Sequence, residues 1–408
     1  MEEMKKERLW NRNYIKVMTA NFALFFAFYL LTPLLPLYLS EAFGAQKDTI
    51  GLVLSGYTVA ALLMRPFSGF LVDSFPRKRV LMLCMAVYFA FFASYLVAGT
   101  LLMFTLIRTL HGAPYGAVTV ANSTVAIDVL PASRRNEGIG YYGLSNNVSM
   151  ALAPTVGLLL YRWSGSFELL FWIAFAVAGV GLAVDATVSL PQRELKRNQQ
   201  RLSLDRFFLT RGWLLAVNIV FFGFCFGVLS NYLAIYSHQA LGITSGTGTY
   251  FMLLAVGLFV SRLQGAKMLG QGRLTHNAAE GVVISLTGYG LFALIALLPS
   301  GSLWALCCYY VSAALIGLGN GHMYPAFLNM FIAVARHDER GTANSSILTA
   351  WDVGMGAGVL LGGVAAEHLG YGAAFLLVWL ANAIGVALFF AKTRQFFQRR
   401  KRADSLAC

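Results

Sequence analysis

Asp73, Arg77, Lys78 and Arg79 stand within one short stretch, GFLVDSFPRKR (69–79), at the end of a long apolar run. An acid followed by three bases at such a place can form ion pairs that hold a contact, or fix orientation at a charged surface. A second group consists of ionisable side chains inside apolar runs. Asp352 follows Trp351, and Arg108 opens RTLHGAPYG (108–116). A charge in hydrocarbon is costly, so both are functional candidates by default: Asp352 as a proton-coupling or cation-recognising carboxylate, or an acid paired with Arg108 for packing, and Arg108 as a donor to backbone carbonyls of neighbouring helices. Covalent catalysis has no matching constellation. The six histidines form no His-Glu-x-x-His pair, and neither a Gly-x-Ser-x-Gly elbow nor a Walker pattern occurs. Cys84, Cys225, Cys307, Cys308 and Cys408 have neither metal-site nor disulfide spacing and read as apolar filler. No catalytic residue, enzyme activity, metal site or cofactor is expected.

The elements that must position these groups follow from composition. Of 408 residues, 58% are hydrophobic and 12% charged. Apolar runs of about 20 residues recur along the chain, each long enough to cross a bilayer as a helix. A transmembrane β-barrel is excluded, because its strands would alternate in segments of about 10 residues. The expected fold is an all-α membrane protein with twelve spans at 14–38, 49–72, 79–98, 101–130, 137–162, 166–190, 211–238, 246–269, 277–298, 302–335, 340–366 and 371–394. The domain reading is an N-terminal six-helix bundle over 1–190, a polar linker over 191–210, a C-terminal bundle over 211–394 and a tail over 395–408. The first sixteen residues are polar for too long to be a cleaved signal.

The net charge of +13 is distributed as topology demands. Bases cluster in the N-terminal tail, at 77–79, 134–135, 193–211, Arg273, 336–340 and 392–402, and the opposite loops hold only Lys47 and Arg162. This imbalance places both termini in the cytoplasm and argues against nucleic acid as the partner. The halves also repeat. DVLPASRRNEG closes the fourth span and AVARHDERG the tenth, so Gly138 and Gly341 lie 203 residues apart. Arg65 and Gly69 are echoed by Arg262 and Gly265, one residue closer together. Two repeats in parallel are the layout of large secondary transporters, with a site near the midplane between halves.

Asp352 lies about 12 residues into the eleventh span, roughly 18 Å along the helix. Arg108 is about seven residues into the fourth. Polar groups that could line a cavity are Asn21, Tyr29, His111, Tyr115, Asn146, Asn147, Asn231, Tyr232, Asn320, His322, Tyr324 and Trp351. His111 and Tyr115 share the helical register of Arg108. Arg65 and Arg262 read as structural. Asp185, late in the sixth span, is expected near the cytoplasmic surface.

GFLVDSFPRKR resembles the signature of the major facilitator superfamily after its second span, through Gly69, Leu71, Asp73, Arg77 and Lys78; Ser74 replaces a usual Arg and Pro76 a usual Gly. TPLLPLY (32–38) resembles the first-span proline motif of the drug–proton antiporters. RTLHGAPYG matches the fourth-span Arg-x-x-x-Gly motif through Arg108 and Gly112. SMALAPTVG (149–157) is similar to the fifth-span antiporter motif, keeping Pro154 and Gly157 but carrying Ser149 and Ala153 where glycines are usual. The resemblance implies the twelve-helix major facilitator fold and alternating access. It implies a latch of Asp73, Arg77 and Asp128 that favours the outward-facing state, with Asp73 facing the eleventh span, and a proton-linked role for Arg108. Transport is expected to draw on a proton gradient and to export a small organic solute. Symport of a sugar-like solute and lipid translocation are the alternatives. Partners are the solute, protons and membrane lipid; the state is monomeric and the location the plasma membrane.

Overall fold

In hydrocarbon a backbone must satisfy its own N–H and C=O groups, which leaves the helix as the form for each apolar run. The computed structural model describes residues 8–45, 47–190, 207–242 and 247–406, and among these no strand occurs. Residues 191–206, the bulk of the expected linker, lie outside the described residues.

The first span is two helices. α1 (Arg12–Leu31) starts at Asn11, whose side chain accepts from Tyr14 N. It stops before Pro33, whose ring cannot continue the ladder. α2 (Leu35–Phe43) resumes with Pro36 in its first turn. Then come α3 (Lys47–Ser74), α4 (Arg77–Ser94), α5 (Leu101–Val129), α6 (Arg135–Ser164) and α7 (Phe167–Ala186). The second half contains α8 (Trp213–Leu241), α9 (Thr247–Gly270), α10 (Leu274–Leu294) and α11 (Leu303–Val334). α12 (Arg340–Leu388) holds the eleventh and twelfth spans, divided at Gly370, whose φ of 83° only glycine adopts readily. A π-helical turn at Phe389–Thr393 leads into α13 (Arg394–Leu406).

Among the described residues, eight helical stretches are long and apolar enough to cross a membrane, and one of these, Arg340–Arg400, contains both of the last two spans. α3, α5 and α6 fall outside that set although they have 28, 29 and 30 residues. They are the helices whose interiors carry Arg65, Arg108, His111, Asn122, Asn146 and Asn147. Polarity within a span is what marks an inward-facing helix.

The chain divides into two compact units. The first is Met1–Gly138, Tyr142–Phe208 and His337–Ser345. The second is Ile139–Tyr141, Leu209–Arg336 and Ser346–Cys408. Each unit thus takes in a few residues that open the fifth or the eleventh span.

The internal repeat is visible in packing. In the first unit a side chain at Gly112 would run into the carbonyl of Tyr57, and one at Gly116 into that of Ala61, so α5 lies backbone against backbone on α3. In the second unit Gly317 meets the carbonyl of Leu254, and Gly321 faces Ser261 and the carbonyl of Leu258. Both pairs are small residues four apart, the spacing that lets helices approach closely without water to drive them together.

Candidate functional site

In the first unit, Asp73 ends α3 against the first turn of α12. Its Oδ1 accepts from Gly341 N at 2.9 Å, and its Oδ2 accepts from Thr342 N at 2.8 Å and from Thr342 Oγ1 at 3.0 Å. These are orphan donors of a helix N-terminus, where an anion is favoured. Glycine at 69 and 341 permits the approach: a Cβ on Gly341 would sit 2.8 Å from Gly69 O. Arg77 Nη2 reaches Asp73 Oδ1 at 3.0 Å, and Arg77 Nη1 pairs with Asp128. Asp128 also takes Arg340 Nη1 at 3.3 Å. Each carboxylate here has at least two donors, and the side chains of the two acids and two arginines are 4–15% exposed. Pro76, where glycine is usual, opens α4, and its carbonyl accepts from Arg79 N at 2.9 Å.

The sequence names Asp73, Arg77 and Asp128 but misses the residues that complete the cluster. Arg340, Gly341 and Thr342 supply four of its contacts. Buried Asn344 adds another: its Nδ2 donates to Val120 O at 3.1 Å and to Ser123 Oγ on α5. The polar run ERGTANSS at the start of an apolar span was the available signal.

A second cluster in the same unit surrounds Arg108, which is 5% exposed. Its Nη1 donates to Tyr95 OH at 3.1 Å, and that hydroxyl stands 2.8 Å from His111 Nδ1. The guanidinium lies 3.9 Å from the centre of the Tyr57 ring. His111, fully buried, packs among Tyr88, Phe91 and Phe92. Tyr115 stacks on Phe28 with ring centres 4.8 Å apart. Among the described residues no carboxylate pairs with Arg108, so the cation is served by ring faces and one phenol. Tyr95→Phe should keep the packing but strand two buried nitrogens. The expected cost is about 1–3 kcal/mol, read as a lower thermal midpoint with the helical circular-dichroism spectrum retained.

Asn21 centres a polar network in α1. Its Oδ1 accepts from Tyr142 OH at 2.7 Å and from Asn122 Nδ2 at 3.2 Å, and its Nδ2 donates to Ser145 Oγ at 2.8 Å. Asn146 Oδ1 and Asn147 Nδ2 are buried atoms without a hydrogen-bond partner. Tyr29 is half-buried against Phe25 and Phe28. Ser149, where a glycine is usual, donates to Phe22 O at 2.8 Å and ties α6 to α1. Further along α6, Gly157 leaves room only for the carbonyl of Leu30, beside the break in the first span.

In the second unit, Tyr324 and Trp351 come together edge to face, 5.3 Å between centres, with Phe226 on the other ring contact at 5.6 Å. Asp352 is the next residue along α12 and is half-buried. His322 turns to α10: its Nδ1 is 2.8 Å from Asn277 Oδ1, and Asn277 Nδ2 donates to His322 O at 2.9 Å. Asn320 is buried and its Nδ2 lacks a partner. Tyr232 OH donates to Val359 O at 2.7 Å. Asn231 is exposed and donates to Gly227 O of its own helix at 2.9 Å.

Asp185 stands in the last turn of α7 and is 1% exposed, and its Oδ1 has no hydrogen-bond partner. Lys78 covers the end of α7, donating to the carbonyls of Asp185, Ala186 at 3.0 Å and Val188 at 2.8 Å. Those are orphan carbonyls that a cation caps. No spacing rule in α7 alone could show it, because the lysine comes from α4.

A family model described as Major Facilitator Superfamily matches residues 17–275 and 272–405. The uncharacterized MFS-type transporter YhhS of Escherichia coli K12 is 23% identical over 93% of this chain and 91% of its own length. YhhS of Salmonella typhimurium aligns with the same identity and coverage. Two solved structures share the fold. The human organic anion transporter MFSD10 (TETRAN) superposes with a TM-score of 0.76 at 18% identity, over 93% of this chain and 99% of that one. FucP, solved in the outward conformation, gives 0.77 at 17% identity, over 96% and 99%.

Proposed function

The chain belongs to the Major Facilitator Superfamily, and we propose that it exports a small organic solute in exchange for protons by alternating access. Membership makes it a multi-pass membrane transporter and not an enzyme, driven by an ion gradient without a cofactor. Proton coupling, direction and solute class are the proposed steps.

The observation that carries the reading is the cluster around Asp73. A contact meant only for packing needs no charges. Here two acids and two guanidiniums converge on a helix N-terminus, where each bond is separately breakable and none is a large apolar contact. That suits a latch closed in one state of a cycle and open in another. In this reading Asp73, Arg77 and Asp128 hold the outward-facing state. Asp352 takes and releases the coupling proton, with Arg108 linked to it. Tyr324 and Trp351 present an aromatic corner beside that acid, suited to an amphipathic or cationic solute. Asn21, Asn146, Asn147, Tyr29, His111, Tyr115, Asn320, His322, Tyr232 and Asn231 are the further solute-facing candidates. The Pro33–Pro36 break and the close seat of Gly157 against Leu30 support export, being the segments that resemble antiporter motifs. In the same reading the protein works as a monomer in the plasma membrane, with both termini cytoplasmic.

The test is transport in proteoliposomes with an imposed pH gradient, screened across a compound library. Wild type should move its solute against the proton flow, and Asp352→Asn should lose dependence on the gradient. Transport indifferent to the gradient in both proteins would sink the coupling. Uptake that follows the proton inward would make the protein a symporter.

A further inference from the structure

The end of the last span presents a charged and aromatic surface that the transport reading does not use. Beyond the π-helical turn, the sequence from 392 to 402 carries six bases, Lys392, Arg394, Arg399, Arg400, Lys401 and Arg402, and no acid. Lys392, Arg394 and Arg399 are exposed. Among the described residues, neither these three nor Arg400 takes part in an ion pair. The stretch from 394 to 400 is nonetheless fixed in place. Phe397, 3% exposed, seats α13 on the second unit. Phe396 lies against Trp213 edge to face, with centres 6.5 Å apart, and the Arg400 guanidinium stands 5.0 Å from the Phe396 ring. Trp213, the first residue of α8, is itself 53% exposed.

Cations held at 392–400 with no carboxylate partner among the described residues suit an anionic partner. A half-exposed tryptophan at the end of a span, beside a ring and a guanidinium, is the side-chain set that settles at headgroup depth. A disordered basic tail would give the charge without the anchored rings. Soluble anions would be served by the charge alone and would have no use for Trp213. We infer that α13 together with Trp213 is a docking surface for anionic phospholipid headgroups of the leaflet at that end of the spans. The phosphodiesters sit against Arg394, Arg399 and Arg400, and the Trp213–Phe396 pair lies at the acyl boundary. The inference rests on the family's membrane location and on no claim about protons or direction, so its test needs no transport.

The experiment uses the full-length protein in detergent micelles. Its thermal midpoint is followed as phosphatidylglycerol, phosphatidylcholine or inorganic phosphate is added, and co-purified lipid is counted by native mass spectrometry. Phosphatidylglycerol should raise the midpoint well above phosphatidylcholine, and the difference should shrink as salt rises. The variant Arg394→Gln/Arg399→Gln/Arg400→Gln should match wild type in detergent alone, lose more than half of that difference and retain less phosphatidylglycerol. If the triple variant folds poorly, Arg399→Gln alone, at an exposed position, should show the same loss in part. An equal response to both lipids, or a variant that keeps the full difference, overturns the inference. So does a response that inorganic phosphate reproduces, since that would describe a free-anion site.

Discussion

Asp73→Asn is expected to shift the transporter towards cytoplasm-facing states by about 3 kcal/mol, roughly a hundredfold in population. The side chain keeps its shape and can still accept one hydrogen bond. It loses its charge against Arg77 and against the two backbone donors at 2.9 and 2.8 Å. Bonds to a charged acceptor contribute about 1.5–3 kcal/mol each, neutral ones about half that. Removing the acid also leaves Arg77, whose side chain is 4% exposed, with Asp128 as its remaining carboxylate. Single cysteines placed in the loops on either side, labelled with a membrane-impermeant maleimide, report the change. Faster labelling from the cytoplasmic side is the expected result, and Asp73→Glu should restore part of the wild-type ratio. Identical labelling of wild type and Asp73→Asn would reduce these charges to orientation signals.

Gly112→Val should abolish the folded protein rather than tune it. The new side chain would occupy the space of the Tyr57 backbone, which cannot rotate away as a side chain can. Forcing α5 from α3 costs at least the 1–3 kcal/mol typical of overpacking, and more here because Gly116 stands in the same contact one turn on. The damage reaches the Arg108 cluster, since moving Tyr57 removes the ring beneath the guanidinium. Size-exclusion chromatography of a fluorescent fusion in detergent should show aggregate in place of a single peak. Gly99→Ala, at a position with nothing within 4 Å of the added carbon, should behave as wild type. A monodisperse Gly112→Val protein with an unchanged thermal midpoint would contradict the packing described.

Much of this architecture is legible in the chain because hydrocarbon removes the alternatives. Apolar runs must be helices, and proline or positive-φ glycine shows where they part. Even so, the run at 14–38 hides a break at Pro33, because α2 restarts within three residues. The eleventh and twelfth spans join at Gly370 without a polar loop to announce it. The charged cluster is half legible. Asp73, Arg77 and Asp128 are conspicuous as charges at span ends. Gly341 and Thr342 act through backbone N–H groups, which every residue has, and only the fold says which are aimed at a carboxylate. Tyr57 and Tyr95 are two of 18 tyrosines, indistinguishable in sequence from packing residues until Arg108 is seen beside them. Asp185 is a further case: its place late in the sixth span is plain in the sequence, but the Lys78 that caps the carbonyls of that helix end comes from α4 and shows only in the fold.

Residues 337–345 fold with the first unit, and 139–141 with the second. A gene severed in the 191–206 segment would therefore yield two products, each missing a piece of its own architecture. The upstream product would have Asp73 but no Gly341 or Thr342 to meet it. The downstream one would have Arg262 without Gly140, whose carbonyl it reaches at 3.4 Å. Complementation in trans would restore those contacts only if both products were made together in one membrane.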